Sequence, residues 1–234
     1  SFFFLGELLW NLEVERPEKS PRSQASCGSC TNCLVGCPTG AFVEDRVLDA
    51  GRCISYLTIE KRSALTYQER AWIGEWLFGC DICQEVCPFN IVPLKKGLGP
   101  HVPELGRDAG VGATISLERV LRMRTDDEYR AVFQGTAVMR AKREGLARNA
   151  AVVAANTHAE NLFPLLGEVA RHDPSPLVRQ HAVWASAVMA SRLGEGAVGV
   201  VKGLLDGAAR DDAEAVREEV RIFRTQFRNF AYDP

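Results

Sequence analysis

The last 147 residues of this 234-residue chain contain no cysteine. All eight thiols crowd into the 61 residues from Cys27 to Cys87, and such clustering marks a site rather than a set of staples spread over a fold. A disulfide framework would suit a small secreted chain in an oxidising compartment, and cysteines two residues apart make poor bridges. The sequence also has no run approaching the about 18 apolar residues of a membrane-spanning helix, which excludes a membrane-embedded reading. It has no surplus of positive charge. Twenty-eight Lys and Arg face thirty Asp and Glu, for a formal charge of -2, so nucleic-acid binding through bulk charge is excluded and only a local basic face remains open. The opening Ser1-Phe2-Phe3-Phe4-Leu5 is apolar, but it has no basic start, carries Glu7 early and offers no small-residue cleavage site, so it is not a secretory signal. Nor does the chain open on Met. It reads as one already under way, a processed or truncated piece whose first strand belongs to another element. With 46% hydrophobic and 25% charged residues, it can bury one or two ordinary cores.

Cys27-x2-Cys30-x2-Cys33-x3-Cys37-Pro38 has the spacing of the bacterial ferredoxin run. Two-residue gaps let one tight loop point three thiolates at a single cubane. The longer gap and the proline turn the fourth thiolate toward a second cluster. Cys80-x2-Cys83-x3-Cys87-Pro88 repeats the ending, and Cys53 stands apart as the missing member. The crossed pattern assigns Cys27, Cys30, Cys33 and Cys87 to one [4Fe–4S] cluster and Cys37, Cys53, Cys80 and Cys83 to the other. Four-cysteine zinc sites also use CxxC pairs, but two runs that both close on x3-Cys-Pro are a ferredoxin habit.

Around this region the chain falls into four parts. Residues 1–24 form an apolar strand and a polar link, 25–92 a two-cluster ferredoxin-type domain, 93–115 a connector rich in Gly and Pro, and 116–234 a helical domain. Apolar and polar residues alternate at helical spacing over 53–62 and 67–77, giving helices to carry the cluster loops. Ser116 begins a helix, and Thr125-Asp126-Asp127-Glu128 starts the next. Leu146 to Val152, Leu177 to Val183 and Ala215 to Val220 resemble one another, with Arg148, Arg179 and Arg217 in matching places. This is the periodicity of HEAT-like paired helices, whose stacking makes a concave surface; ordinary helical bundling is the plainer reading. Arg179 and Arg217 are expected to pair with Asp173 and Asp211 in the turns. The fold class is thus mainly α, a ferredoxin-like double-cluster domain followed by HEAT-like repeats, with a remnant strand of an α/β domain at the N terminus. His101, His158, His172 and His181 follow no ligand spacing, and Trp10, Trp72, Trp76 and Trp184 read as core.

Together with Phe3-Phe4-Leu5-Gly6-Glu7, Cys27-Gly28-Ser29-Cys30-Thr31-Asn32-Cys33, Cys53-Ile54-Ser55-Tyr56-Leu57-Thr58-Ile59-Glu60, Gly79-Cys80-Asp81-Ile82-Cys83 and Arg148-Asn149-Ala150, this organisation resembles the epoxyqueuosine reductases. The resemblance covers about residues 2–160. It implies kinship with the reductive dehalogenases, cobalamin beside two [4Fe–4S] clusters, and reduction of the epoxide of epoxyqueuosine in tRNA to queuosine. In that family a cobalamin-binding domain and an acidic proton donor precede the Phe-Phe-Leu-Gly-Glu strand. Residues 1–24 are therefore expected to be the remnant of that domain, the proton donor is unknown, and the stretch alone is expected to be inactive in turnover. The resemblance places Ser55 and Asp81, beside Cys53 and Cys80, at the corrin; simple loop capping is the alternative.

For tRNA, Arg140-Ala141-Lys142-Arg143-Glu144 and Arg148 form a local basic patch of the kind that grips phosphates. By the resemblance, Arg62, Arg140, Lys142, Arg143 and Arg148 would hold the anticodon arm; a solvated helix face is the bland reading. An external donor such as flavodoxin or ferredoxin, a cytoplasmic location, no membrane partner and a monomer complete the expectation. The competing reading is a two-cluster electron carrier fused to a HEAT-like interaction module, which would bind neither cobalamin nor tRNA. A reductive dehalogenase relative would share the clusters without needing the basic patch.

Overall fold

The computed structural model describes residues 6–13, 27–97, 111–112 and 114–226. The chain divides into two compact units, one of 1–49 and 81–100, the other of 50–80 and 101–234. The expected N-terminal strand lies largely outside the described residues, and within 6–13 the backbone is neither helix nor strand. Among the described residues no helix is long and apolar enough to cross a membrane.

The smaller unit holds α1 (Asn32–Gly36), a two-residue-turn hairpin of β1 (Phe42–Glu44) and β2 (Val47–Leu48), α4 (Ile82–Glu85) and α5 (Pro88–Lys95). Proline sets the ends of its helices. Cys37, just before Pro38, is forced to extended backbone (φ -73°, ψ 115°) and stops α1. Pro88 opens α5, where its missing N–H costs nothing. Helix α5 runs two residues beyond Pro93, so the connector begins later than its proline content suggested. α1 packs on α4: the Asn32 side-chain amide donates to the Val86 carbonyl at 3.3 Å, and a Cβ on Gly36 would sit 3.4 Å from Val86 Cγ2.

The larger unit begins with α2 (Ile54–Ile59) and α3 (Tyr67–Ile73) and continues through α6 (Leu117–Arg122), α7 (Asp126–Phe133), α8 (Lys142–Asn156), α9 (Phe163–His172), α10 (Pro176–Leu193), α11 (Glu195–Ala208) and α12 (Glu214–Gln226). The helix starts read from sequence at Ser116 and Thr125 are present, and the structure adds one at Thr66. Ser116 caps α6 through the Arg119 N–H, and Thr125 and Thr66 close full capping boxes with Glu128 and Glu69, each cap contributing about 1 kcal/mol. α10 packs against α8, α9, α11 and α12. α8 and α10 are buried almost all round, and alanines 147, 150, 151, 154 and 155 face a core that includes alanines 182, 185, 187 and 190. Small side chains let these helix axes approach, so a substitution such as Ala150→Leu would overpack the core at a cost of about 1–3 kcal/mol.

The expected block 25–92 is thus divided, because residues 50–80 pack into the helical unit. The reason is a set of polar anchors. Arg148 donates to the carbonyls of Leu57, Lys61 and Ser63 at 2.8–2.9 Å, and the Asn149 amide donates to Thr58 and Leu77 at 2.8 and 3.0 Å. Arg70, in contact with the rings of both Tyr67 and Trp184, makes a two-point ion pair with Glu219. The expected repeat register also shifts. Arg143 pairs with Asp173, and Arg179 pairs with Asp211 while donating back to the Asp173 carbonyl; Arg217 donates back to the Asp211 and Asp212 carbonyls. Arg143 and Arg179 thus share a forward pair to an aspartate side chain, Arg179 and Arg217 share the donation back to the preceding turn, and Arg148 makes neither contact.

Candidate metal centre

Cys27, Cys30, Cys33, Cys37, Cys83 and Cys87 belong to the smaller unit, and Cys53 and Cys80 to the larger. In the smaller unit, Gly28 takes a positive φ of 53° that only glycine adopts cheaply. The turn closes with the Cys30 N–H on the Cys27 carbonyl at 3.0 Å. The chain then enters α1, which carries Cys33. Cys83 lies in α4 and Cys87 ends the turn before α5, where the Asn90 amide donates to the Gln84 carbonyl at 2.8 Å. The four residues expected to share the first cluster, Cys27, Cys30, Cys33 and Cys87, all belong to the smaller unit.

Cys37 sits in a pocket that favours its thiolate. The Ala41 N–H donates to Sγ at 3.3 Å, and Thr39 Oγ1 lies 3.5 Å away. Burial pushes the thiol pKa up, but the Thr39 hydroxyl and the backbone N–H groups of Ala41, Thr39 and Gly40 outweigh it, and the net direction is down. N–H groups that converge on a sulfur in this way orient a ligating cysteine and tune its charge. In the larger unit, Cys53 precedes the first turn of α2. The Gly79 N–H donates to Thr58 Oγ1 at 2.9 Å, fixing the approach to Cys80 against the same helix. The donor set fits iron–sulfur ligation: seven thiols in two ferredoxin-spaced runs and Cys53 standing between them, with no histidine interspersed. Among the described residues no three His, Cys, Asp or Glu side chains converge as they would on a single ion, so the assignment rests on ligand type and spacing.

Of the residues expected at the corrin, Ser55 is half-buried in the first turn of α2, and Asp81 is exposed at the start of α4, where its Oδ1 accepts from the Gln84 amide at 2.7 Å. Asp81 makes no side-chain cap. The five expected tRNA residues separate. Arg148 is fully buried, its guanidinium spent on carbonyls, and burial pushes its pKa down to about 10. Arg143 is buried against Asp173. Neither belongs to a surface patch: linear proximity put them with Arg140 and Lys142, but helix α8 turns them inward. Arg62 and Arg140 remain accessible beside Glu60. Lys142 is exposed, opens onto a groove of about 510 Å³ shared with Arg124 and Ser175, and has φ 60°, a strained value often found at functional positions. Sequence reasoning gave no role to Thr58 and Asn149, which stood only inside the stretches that carry the resemblance, and none to Arg52, whose one signal was its adjacency to Cys53.

Residues 26–90 match the family of 4Fe-4S double cluster binding domains. The chain is 39% identical over 187 residues to the epoxyqueuosine reductase of Pseudomonas aeruginosa, covering 79% of this chain and 49% of that protein. Its fold is similar to that of the epoxyqueuosine reductase from Bacillus subtilis, with a TM-score of 0.71, 32% identity, and coverage of 90% of this chain and 52% of that one. An epoxyqueuosine reductase crystallised with an epoxyqueuosine-modified tRNA-Tyr stem loop matches with a TM-score of 0.67 and 31% identity, covering 84% of this chain and 49% of that one. The chain spans about half the length of the relatives it matches. Over that half, both sequence and fold are similar to those of the epoxyqueuosine reductases.

Proposed function

We propose that this chain is the electron-delivering and RNA-docking portion of an epoxyqueuosine reductase, a tRNA-modifying oxidoreductase. The observation that carries the reading is the eight-cysteine arrangement within a double-cluster domain, joined to similarity with epoxyqueuosine reductases beyond it. Cys27, Cys30, Cys33 and Cys87 would hold one [4Fe–4S] cluster, and Cys37, Cys53, Cys80 and Cys83 the other. Such clusters supply single electrons at potentials that reach roughly -700 mV, low enough to match the low-valent cobalt that a bound cobalamin contributes. The overall reaction consumes two electrons and two protons and releases the epoxide oxygen as water.

The chain's own residues bind and orient. Thr39, Gly40 and Ala41 hold Cys37 as a thiolate donor. Thr58 and Asn149 fix the backbone leading to Cys80. Ser55 and Asp81 would face the corrin. Arg62, Arg140 and Lys142 would grip phosphates of the anticodon arm. The helical unit is read as HEAT-like, on the strength of the repeated arginine–aspartate turns at Arg143, Arg179 and Arg217. A soluble donor such as flavodoxin or ferredoxin, a monomer and a cytoplasmic location complete the proposal.

The first test is metal and sulfide content of the anaerobically purified chain. About eight iron and eight sulfide per chain are expected; zinc without sulfide would sink the redox assignment. Binding of an epoxyqueuosine-carrying stem loop and of cobalamin then separates this reading from a plain electron carrier, which should bind neither.

A further inference from the structure

Arg52 ends the short 3-10 turn Ala50–Arg52 directly before Cys53, whose own N–H closes that turn on the Ala50 carbonyl at 3.0 Å. Its guanidinium lies over the Trp72 ring, 5.6 Å from the centroid. The side chain of this half-buried residue, next to Cys53 in the chain, is therefore directed onto the Trp72 ring rather than out into solvent. Its Nε is buried and has no hydrogen-bond partner. A buried donor on a charged group without an acceptor is costly, and native structures rarely leave one unexplained. An acceptor is thus missing at this spot, and the neighbouring residue brings anionic acceptors whenever its sulfur is ligated in a cluster: one thiolate and the inorganic sulfides behind it.

We propose that Arg52, pinned by Trp72, is a fixed counter-charge and N–H donor to the iron–sulfur cluster ligated by Cys53, and that it raises the reduction potential of that cluster. This rests on the reading of Cys53 as a cluster ligand. The physical argument is a difference between two states. On reduction the cluster gains one electron and one unit of negative charge, so a cation held nearby stabilises the reduced form more than the oxidised one. Potentials of such clusters respond to net charge and to hydrogen bonds at sulfur. Trp72 contributes by fixing the guanidinium plane, which a lysine ammonium in its place could not match.

The test is an anaerobic redox titration of the chain loaded with iron and sulfide, with dithionite as reductant, each cluster followed by its electron paramagnetic resonance signal. The signal missing in Cys53→Ser identifies the cluster in question. For Arg52→Gln, the ratio of reduced to oxidised cluster at fixed ambient potential should fall at least tenfold, equal to 59 mV for a one-electron couple, while the other cluster stays unchanged. Arg52→Lys should fall less, and Trp72→Leu should show a partial fall with the charge still present. Unchanged potentials in all three variants, with only a lower melting temperature, would assign Arg52 a purely structural role and overturn the proposal, as would an equal shift of both clusters. If Arg52→Gln fails to assemble clusters, the Lys and Leu variants carry the test. Failure of the unaltered chain to take up iron and sulfide would instead remove the cluster reading itself.

Discussion

Arg143 and Asp173 form a two-point ion pair inside the helical unit, Nη1 to Oδ2 and Nη2 to Oδ1, both at 3.0 Å. Asp173 is 2% exposed and also accepts the Ser175 N–H at 2.9 Å. The same carboxylate thus organises the turn into α10 and anchors an arginine from α8. Arg179 and Asp211 repeat the arrangement at 2.7 and 2.9 Å.

Removing one partner should be costly. Arg143→Met leaves a buried carboxylate short of its main cation and is expected to lower unfolding stability by about 3 kcal/mol. Arg143→Met combined with Asp173→Asn, which keeps an acceptor for Ser175, should recover much of that loss. Urea denaturation followed by circular dichroism measures both, and a single variant as stable as the parent would show the pair to be incidental.

Arg148 is expected to behave as a structural tie. Arg148→Met strands the carbonyls of Leu57, Lys61 and Ser63 and should cost about 3 kcal/mol or more, with reduced iron uptake because α2 follows Cys53. Arg140→Ala, at an exposed position, should lie within about 0.5 kcal/mol of the parent. Equal melting curves for the two variants would contradict the buried placement of Arg148.

For RNA, stem-loop affinity measured across salt concentrations should separate the accessible residues from the buried ones. Arg62→Ala, Arg140→Ala and Lys142→Ala should each weaken binding and lower the salt slope by about 1 per lost phosphate contact. Unchanged slopes in all three would remove this face from the RNA interface.

His181 gives a pH dependence with a definite sign. It is fully buried, its Nε2 accepts the Leu65 N–H at 3.1 Å and its Nδ1 lies 2.8 Å from the Leu177 carbonyl, so the folded state needs the neutral ring. Burial, reinforced by the Arg70 charge, pushes its pKa well below the ordinary histidine value. The unfolded chain then binds the proton more readily. The contribution of His181 is complete above about pH 6.5 and is lost progressively as pH falls below it. Stability measured from pH 8 to pH 5 should decline on the acid side, and His181→Gln should flatten that limb; an unaltered slope would refute the assignment.

The crossed ligand sets are open to iron counting. Cys27→Ser and Cys87→Ser should each remove the same spectroscopic signal, and Cys37→Ser and Cys53→Ser the other. Pairing of Cys87 with Cys53 instead would reverse the crossing.

Residue types and short spacings were enough to read the chemistry and the local elements. Ligand identity is a matter of residue type and short spacing, so the two Cys-x2-Cys runs and their closing prolines announce an iron–sulfur site before any fold is known. Capping is equally local, and Ser116 and Thr125 mark helix starts that the structure contains. Only the tertiary structure decided which arginines are surface and which are ties, because that depends on which side of α8 meets a neighbour. Arg140 and Lys142 remain outside while Arg143 and Arg148 turn in, although all four lie within nine residues. The packing of residues 50–80 into the helical unit was equally hidden, since it is set by carbonyls of one segment meeting Arg148 and Asn149 some 72 to 91 positions away. A pattern of side chains along the chain carries no record of such backbone acceptors.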